Sequence, residues 1–313
     1  QNLRYATIDK FIMHDNRPLC PPILAASLVY FFTAGVLAQD HPAEDRFKGT
    51  IGRFAEVSNP DMLKKTRAPK NAPNVIYIVL DDCGFADLGC FGSTVSTPHI
   101  DSLAAGGLYF NNFHSKSVCS PTRASLLTGR NNHIVGMKEL PGNDQGYPHT
   151  RGQVTSAAAN IAQILRRNGY LTMLAGKWHL VPKPDMHDAA DRTHWPLQKG
   201  FDRFHGFLSG WTDQYRPDLV IDNRNVKPPA DFDYHFSEDI VDQSIDMVNS
   251  NTEFRPGSPF FLYLAFGAIH SPIQVPKRYI NKYVGAFDHG WDVERELRFK
   301  RQLASGLIPQ ESK

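Results

Sequence analysis

Asn74-Val-Ile-Tyr-Ile-Val-Leu80 is an unbroken apolar run, rich in β-branched residues, that ends directly at Asp81-Asp82. Because polar side chains do not alternate with the apolar ones, the run predicts a central strand buried on both faces. Pro259-Phe-Phe-Leu-Tyr-Leu-Ala-Phe266 has the same character and predicts a second buried strand. Runs of this kind are typical of parallel sheets whose two faces are covered by helices.

Further predicted strands and helices alternate on either side of these two runs. The alternation indicates an α/β fold with a mostly parallel central sheet and helices on both faces. The aromatic, Gly- and Pro-rich segment 187–229 is predicted to be irregular. Strands are also predicted at 108–113 and 170–175, and helices at 97–105, from 119 onward, at 155–168, at 237–248 and at 291–303.

Composition excludes some classes of function. The 313 residues are 41% hydrophobic, which is enough for a sizeable core. The formal net charge of +2 and the lack of long Lys or Arg runs give no reason to expect a nucleic-acid partner. Of the four cysteines, Cys20 lies in the N-terminal region described next, and the other three, Cys83, Cys90 and Cys119, lack a zinc-finger spacing. Cys83 and Cys90 either pair in an oxidising compartment or remain single thiols.

The N-terminal region has the pattern of an export signal. Residues 22–38 are apolar and uncharged, a polar stretch follows at once, and Arg17 supplies the positive charge that precedes such segments. A membrane anchor is the alternative, but the run is at the short limit of the roughly 17 to 25 residues that span a bilayer. We therefore predict a signal peptide and a periplasmic or secreted protein. The predicted divisions are 1–38 for upstream residues and signal, 39–73 for an N-terminal arm and 74–313 for one domain.

The stretch Val118-Cys-Ser-Pro-Thr-Arg-Ala-Ser-Leu-Leu-Thr-Gly-Arg130 carries candidate chemistry. Ser120 followed by Pro121 predicts a capped helix start. Cys119 and Arg123 are four residues apart and would share one helix face. A thiol at a helix N-terminus beside a guanidinium lies in a positive field that suits an anion.

Polar residues follow three predicted strands, where ligands of parallel sheets bind. The adjacent carboxylates of Asp81 and Asp82 favour a divalent cation, calcium or magnesium by their oxygen chemistry, although Asp82 could instead cap a turn. Lys177 could bind an anion and His179 could carry a proton, although both could be ordinary surface residues. His270, before Pro272, is open to a catalytic or a structural interpretation.

Five motifs together resemble the sulfatase family, bacterial arylsulfatases in particular, in both order and approximate spacing. The resemblance implies an alkaline-phosphatase-like fold and hydrolysis of sulfate esters, with 74–313 as the catalytic domain. The motifs are Asp81-Asp82-x-Gly84, Thr97-Pro98-x-Ile100-Asp101, Cys119-Ser120-Pro121-Thr122-Arg123 with Leu127-Thr128-Gly129-Arg130, Gly176-Lys177-Trp178-His179, and His270-x-Pro272.

The resemblance implies that a maturation enzyme oxidises Cys119 to formylglycine. A hydroxyl of the hydrated aldehyde would attack the sulfur of a small-molecule or carbohydrate sulfate ester. Asp81 and Asp82, with the modified Cys119, would be ligands of a calcium ion.

The resemblance also assigns roles to the basic residues. Arg123 would hold the formylglycine oxygen, and Lys177 would bind the sulfate. His179 would act as the base, while His270 would contact the substrate and protonate the leaving oxygen.

Some family features differ or are missing. Asn132 stands where the family often has the first residue of a His pair, while His133 is kept. The Asp-Asn pair and the second Lys that complete the family's site are expected well beyond His270. We therefore expect the N-terminal portion of a longer enzyme, a C-terminally truncated fold, and little calcium binding or turnover by these residues alone. A phosphate or phosphonate ester hydrolase of the same superfamily and an inactive homologue remain alternatives.

Overall fold

The computed structural model describes residues 47–62, 66–231 and 233–312. The chain divides into two compact units between residues 63 and 64. In the first unit, Thr50 and Asn59 form an antiparallel bridge around a short helical turn. The signal peptide predicted at 22–38 lies outside the described residues, and the domain boundary predicted at 73/74 stays a prediction. No helix in the described part of the chain is both long and apolar enough to cross a bilayer.

The second unit is built on a six-stranded sheet of order β1-β6-β2-β3-β4-β5. The first four strands in that order are parallel, and β4 and β5 extend the sheet as antiparallel strands. The strands are β1 Val75–Val79, β2 Leu171–Lys177, β3 Arg203–Phe207, β4 Val220–Ile221, β5 Arg224–Asn225 and β6 Phe260–Ala265.

Helices lie between and beyond the strands, as the alternating pattern predicts. They are α1 Pro98–Gly106, α2 Cys119–Thr128, α3 Ile161–Arg167, α4 Phe236–Phe254, α5 Lys277–Ile280 and α6 Trp291–Ala304.

Both faces of the sheet carry a core. Strand β6 is buried along its whole length, and its alternate side chains point to opposite faces. Phe261 and Tyr263 belong to the core that includes residues of α2 and α3. Leu262 and Leu264 belong to the core that includes residues of α4. The predicted α/β fold, a mostly parallel sheet with helices on both faces, is confirmed.

The prediction that β1 is a central strand buried on both faces is wrong for the described residues. Within them β1 pairs with β6 alone, at the edge of the sheet. Ile76 and Ile78 are 51% and 55% exposed. An apolar run indicates a strand but does not reveal the position of that strand in the sheet, because the position depends on pairing with distant segments.

Three other expectations need correction. Residues 108–113 form no strand, and Leu108 and Phe110 are exposed. Helix α3 begins six residues later than predicted, because the Asn160 side chain caps it reciprocally with Gln163. Strands β3 to β5 lie in the segment predicted to be irregular, where the aromatic and Gly-rich composition hid them. The open question on Cys83 and Cys90 resolves to two free thiols.

Candidate active site

The carboxyl ends of β1, β2 and β6 bring predicted site residues to one edge of the sheet. Asp81 follows β1, Lys177 is the last residue of β2, and His270 follows β6. The backbone ties two of these ends together. The Asp81 amide donates to the Ala268 carbonyl at 2.9 Å, and the Asp81 carbonyl accepts from the Ile269 amide at 2.7 Å. The convergence predicted from the strand ends is therefore present.

Asp81 lies in a buried ionic cluster with Arg123 and Lys177. The exposed fractions of these residues are 4%, 2% and 0%. Arg123 Nη2 is 3.3 Å from Asp81 Oδ1, and Lys177 Nζ donates to Asp81 Oδ2. Arg123 Nη1 also donates to the Lys177 carbonyl at 3.0 Å and to the Tyr263 hydroxyl at 3.2 Å. Two cations facing one carboxylate leave a local excess of positive charge, which suits an anionic ligand.

Helix α2 delivers two residues to this cluster. It begins at Cys119, with Val118 as its N-cap, so the prediction that Ser120 caps the helix is wrong. The Ser120 hydroxyl donates instead to the carbonyl of His179 at 2.8 Å. Cys119 and Arg123 are one helical turn apart, as predicted, and reach the site from the same helix.

Cys119 and His179 are in direct contact, with Cys119 Sγ 3.0 Å from Nδ1 of His179. His179 adopts the left-handed backbone conformation, with φ of +54°. Its ring lies against the backbone of Gly210, where an added Cβ would be 2.7 Å from the ring carbon Cε1. Any side chain at position 210 would therefore displace the imidazole.

The surroundings of His179 keep its imidazole neutral. Burial lowers the pKa of His179 to about 3, and the charges of Lys177 and Arg123 act in the same direction, while Asp81 opposes them. At physiological pH the ring therefore has one N–H donor and one acceptor nitrogen.

Asp82 and His270 form a second, more open pair. His270 Nε2 is 3.8 Å from Asp82 Oδ2, and the side chains are 27% and 65% exposed. His270 Nδ1 donates to the Ser271 carbonyl at 2.7 Å. The adjacent carboxylates of Asp81 and Asp82 thus have different surroundings, since Asp81 is buried among cations and Asp82 faces solvent beside His270.

Helix α6 holds the loop that follows Asp82. Arg298 Nη1 donates to the Ala86 carbonyl and to Asp87 Oδ1, each at 3.0 Å. Arg298 Nε in turn donates to Glu294 at 2.8 Å, and Glu294 is only 4% exposed. The predicted C-terminal helix is therefore an anchor for the loop beside the site.

Comparison with known sequences identifies the family. The sulfatase family model matches residues 73–307, three quarters of the chain. The chain belongs to the sulfatase family. Its alkaline-phosphatase-like fold, predicted from the five motifs, is confirmed by solved sulfatase-like structures that share the architecture.

Relatives of this sulfatase-family chain cover most of it. An uncharacterized sulfatase of Schizosaccharomyces pombe is 34% identical, over 78% of this chain and 46% of its own length. The arylsulfatase of Klebsiella aerogenes is 28% identical, over 77% of this chain and 52% of its own length. The crystal structure of Ps i-CgsB in complex with k-i-k-neocarrahexaose has 26% identity and a TM-score of 0.55. The match covers 76% of this chain and 53% of that protein. The chain thus spans about half the length of the relatives it matches.

The carboxylates of this sulfatase-family site fit a calcium ion in part. Asp81 and Asp82 offer the oxygen ligands that calcium prefers. Both oxygens of Asp81 are engaged by Arg123 and Lys177, and the described residues contain no group of three or more His, Cys, Asp or Glu placed to hold a metal. They therefore supply only a minority of the roughly six to eight oxygens that calcium takes.

The surroundings of Cys119 fit an oxygen-bearing group. Cys119 is partly exposed. One turn away, Arg123 Nε is buried and has no hydrogen-bond partner within the described ranges. A buried donor of this kind is better satisfied by a nearby oxygen than by a thiol, which is a weak acceptor.

The sequence did not reveal the supporting contacts of three residues, Tyr263, Ser120 and Gly210, the second of which was predicted only as a helix cap. Tyr263 could have been found, because a tyrosine in a fully buried strand needs a polar partner for its hydroxyl. Ser120 and Gly210 carry no comparable signal. Their contacts with His179 join segments far apart in the sequence.

Proposed function

We propose that this chain carries the catalytic part of a sulfuric ester hydrolase in which the group derived from Cys119 acts on the sulfur of a sulfate ester. The observation that carries the proposal is the 3.0 Å contact between Cys119 Sγ and His179 Nδ1, at the start of the helix that also provides Arg123. Membership of the sulfatase family supports the reaction class.

Maturation of Cys119 to formylglycine is part of the proposal. A dedicated maturation enzyme would act on the segment that contains Ser120, Pro121 and Arg123. The hydrated aldehyde would supply an oxygen nucleophile where the gene encodes a thiol. Arg123 orients the oxygen at position 119 through its N–H groups, and its own guanidinium is held in place by Asp81, the Lys177 carbonyl and Tyr263.

The other basic residues bind the substrate and move protons. Lys177 and His270 bind the sulfate group, since an ammonium and an imidazole both donate hydrogen bonds to its oxygens. His179 exchanges a proton with the group at position 119 through Nδ1, the nitrogen that faces it. His270 donates a proton to the leaving alcohol.

Asp81, Asp82 and the group at position 119 are the residues that would hold a calcium ion. When bound, calcium would offset the negative charge of the sulfate oxygens. The oxygen chemistry of the two carboxylates supports this choice of metal.

We propose a small-molecule or carbohydrate sulfate ester as the substrate and the periplasm or the exterior of the cell as the location. The crystal structure of Ps i-CgsB in complex with neocarrahexaose supports a carbohydrate substrate. The apolar, uncharged segment 22–38 supports export.

Mass spectrometry of the peptide that contains Cys119 tests the proposal without relying on turnover. In a host with the maturation enzyme, we expect the mass of the aldehyde, and we expect an Arg123→Ala variant to be matured less. A thiol that remains unmodified in that host would contradict the proposed hydrolase function and favour an inactive homologue. Comparing hydrolysis of 4-nitrophenyl sulfate and 4-nitrophenyl phosphate by a protein of its relatives' full length, with Cys119→Ala as the control, then separates a sulfatase from a phosphate ester hydrolase.

A further inference from the structure

Trp211 is a large aromatic residue that the proposed chemistry does not use. It is 63% exposed, whereas the nearby Thr212 and Gln214 are 2% and 3% exposed. Thr212 and Gln214 thus pack inward, while Trp211 faces solvent, as Tyr215 and Arg216 do farther along the loop. A tryptophan offers a large apolar face together with a polar N–H, the combination that is enriched at binding interfaces.

The loop that carries Trp211 leaves directly from the site. Pairing between β2 and β3 continues beyond the strands, because the His179 amide donates to the Leu208 carbonyl at 3.1 Å. Two residues later, Gly210 packs on the imidazole, where an added Cβ would be 2.8 Å from Nε2 of His179. Trp211 is the next residue, and the Ser209 hydroxyl donates to its carbonyl at 2.7 Å. Trp211 thus begins one residue away from direct contact with His179.

The far part of the same loop is tied to the segment that carries His270. Gln274 Oε1 accepts a hydrogen bond from the backbone amide of Gln214 at 2.7 Å, and Gln274 Nε2 donates one to Asp213 Oδ2 at 2.6 Å. Gln274 follows His270 closely in the chain. The Trp211 loop is therefore fixed between the two histidines of the site.

We propose that Trp211 is a specificity-determining residue that stacks on the ring of the alcohol part of the sulfate ester, either an aromatic ring or a pyranose. The inference rests on the proposed function, because it assumes that a sulfate ester occupies the site. The cations Arg123 and Lys177 lie deep in the cluster and suit the sulfate. Trp211 is exposed, is the next residue after the glycine that packs on His179, and offers a flat apolar face, which suits a ring and not an anion.

Calorimetric titrations test the inference, on a protein of its relatives' full length in a Cys119→Ala background that leaves the ester intact. The ligands are 4-nitrophenyl sulfate, glucosamine 6-sulfate, methyl sulfate and inorganic sulfate. We expect Trp211→Ala to raise the Kd of at least one ring ester about threefold to tenfold, with the Kd of methyl sulfate and inorganic sulfate unchanged. Trp211→Phe should restore most of the affinity. Trp291→Ala, which removes a tryptophan that is 89% exposed on α6, is the matched control and should change nothing.

Two results would overturn the inference alone. One is a Trp211→Ala variant that binds both ring esters as tightly as its parent. The other is an equal weakening of all four ligands, which would indicate damage to the site and not loss of a ring contact. Failure of the parent protein to bind any of the four would overturn the proposed function and this inference with it.

Discussion

The sulfur of Cys119 lies 3.0 Å from Nδ1 of His179, and residues from two distant segments hold the histidine in that position. Ser120 binds the His179 carbonyl, and the bare backbone of Gly210 makes room for the ring. The contact therefore depends on the absence of a side chain at position 210 as much as on the two residues that form it.

Gly210→Ala should displace the imidazole, because the new Cβ would come within 2.8 Å of Nε2 of His179. A misplacement on the scale of 1 Å can lower catalytic rates by about 100-fold. We therefore expect a loss of roughly 10- to 100-fold in kcat for 4-nitrophenyl sulfate, measured on a protein of its relatives' full length. Gly106→Ala is the matched control, because an added Cβ there meets no atom within 4 Å. Unchanged kcat in Gly210→Ala would show that the ring position does not matter.

Asp81→Ala should destabilise the protein strongly, because it leaves Arg123 and Lys177 buried without a counter-charge. Breaking a buried ion pair in this way typically costs about 3–5 kcal/mol in the free energy of unfolding, measured by urea denaturation. The control is Glu296→Ala, which removes an exposed i,i+4 pair with Lys300 and should cost less than about 0.5 kcal/mol. If both variants lose the same free energy of unfolding, Asp81 does not stabilise the fold by neutralising Arg123 and Lys177.

Tyr263→Phe should lower the free energy of unfolding by about 1–2 kcal/mol, because it removes a buried acceptor of the Arg123 guanidinium. Burial raises the pKa of Tyr263, so the hydroxyl is neutral and its loss changes no charge. Tyr77→Phe provides a matched control, since the Tyr77 ring packs edge-on against Phe261 at 5.3 Å and keeps that contact without its hydroxyl. Urea denaturation of both variants measures the difference. A Tyr263→Phe variant as stable as Tyr77→Phe would count against this role.

Glu294 should make stability depend on pH in the acid range. Burial acts to raise the pKa of Glu294, but hydrogen bonds from Arg298, Thr94 and His289 outweigh it and lower the pKa from 4.5 to about 2. A depressed pKa means that the unfolded chain binds the proton more readily. The stabilisation is therefore complete above pH 4.5 and is lost as the pH falls toward 2.

Thermal unfolding across this pH range tests the prediction. Glu294→Gln should lower Tm at neutral pH and flatten its dependence on pH below 4.5. Glu296→Gln changes an exposed carboxylate on the same helix and should keep the native slope. If Glu294→Gln also keeps the native slope, the ionic contacts of α6 do not contribute to acid stability.

Much of the site could be predicted from local patterns. Helical periodicity placed Cys119 and Arg123 on one face, because residues four apart are neighbours in any α-helix. Apolar runs that end in polar residues placed Asp81, Lys177 and His270 at strand ends, where parallel strands converge. These inferences needed only the conformation of short segments.

The tertiary structure alone decided which partners those residues meet. Asp81 pairs with Arg123 and Lys177, while the adjacent Asp82 turns to solvent. Among the described residues β1 pairs with β6 alone, which leaves β1 at the edge of the sheet. The paired residues Val75 and Phe261 are 186 positions apart in the chain. Contacts of this kind depend on strand order and packing between remote segments, and neither periodicity nor spacing records them.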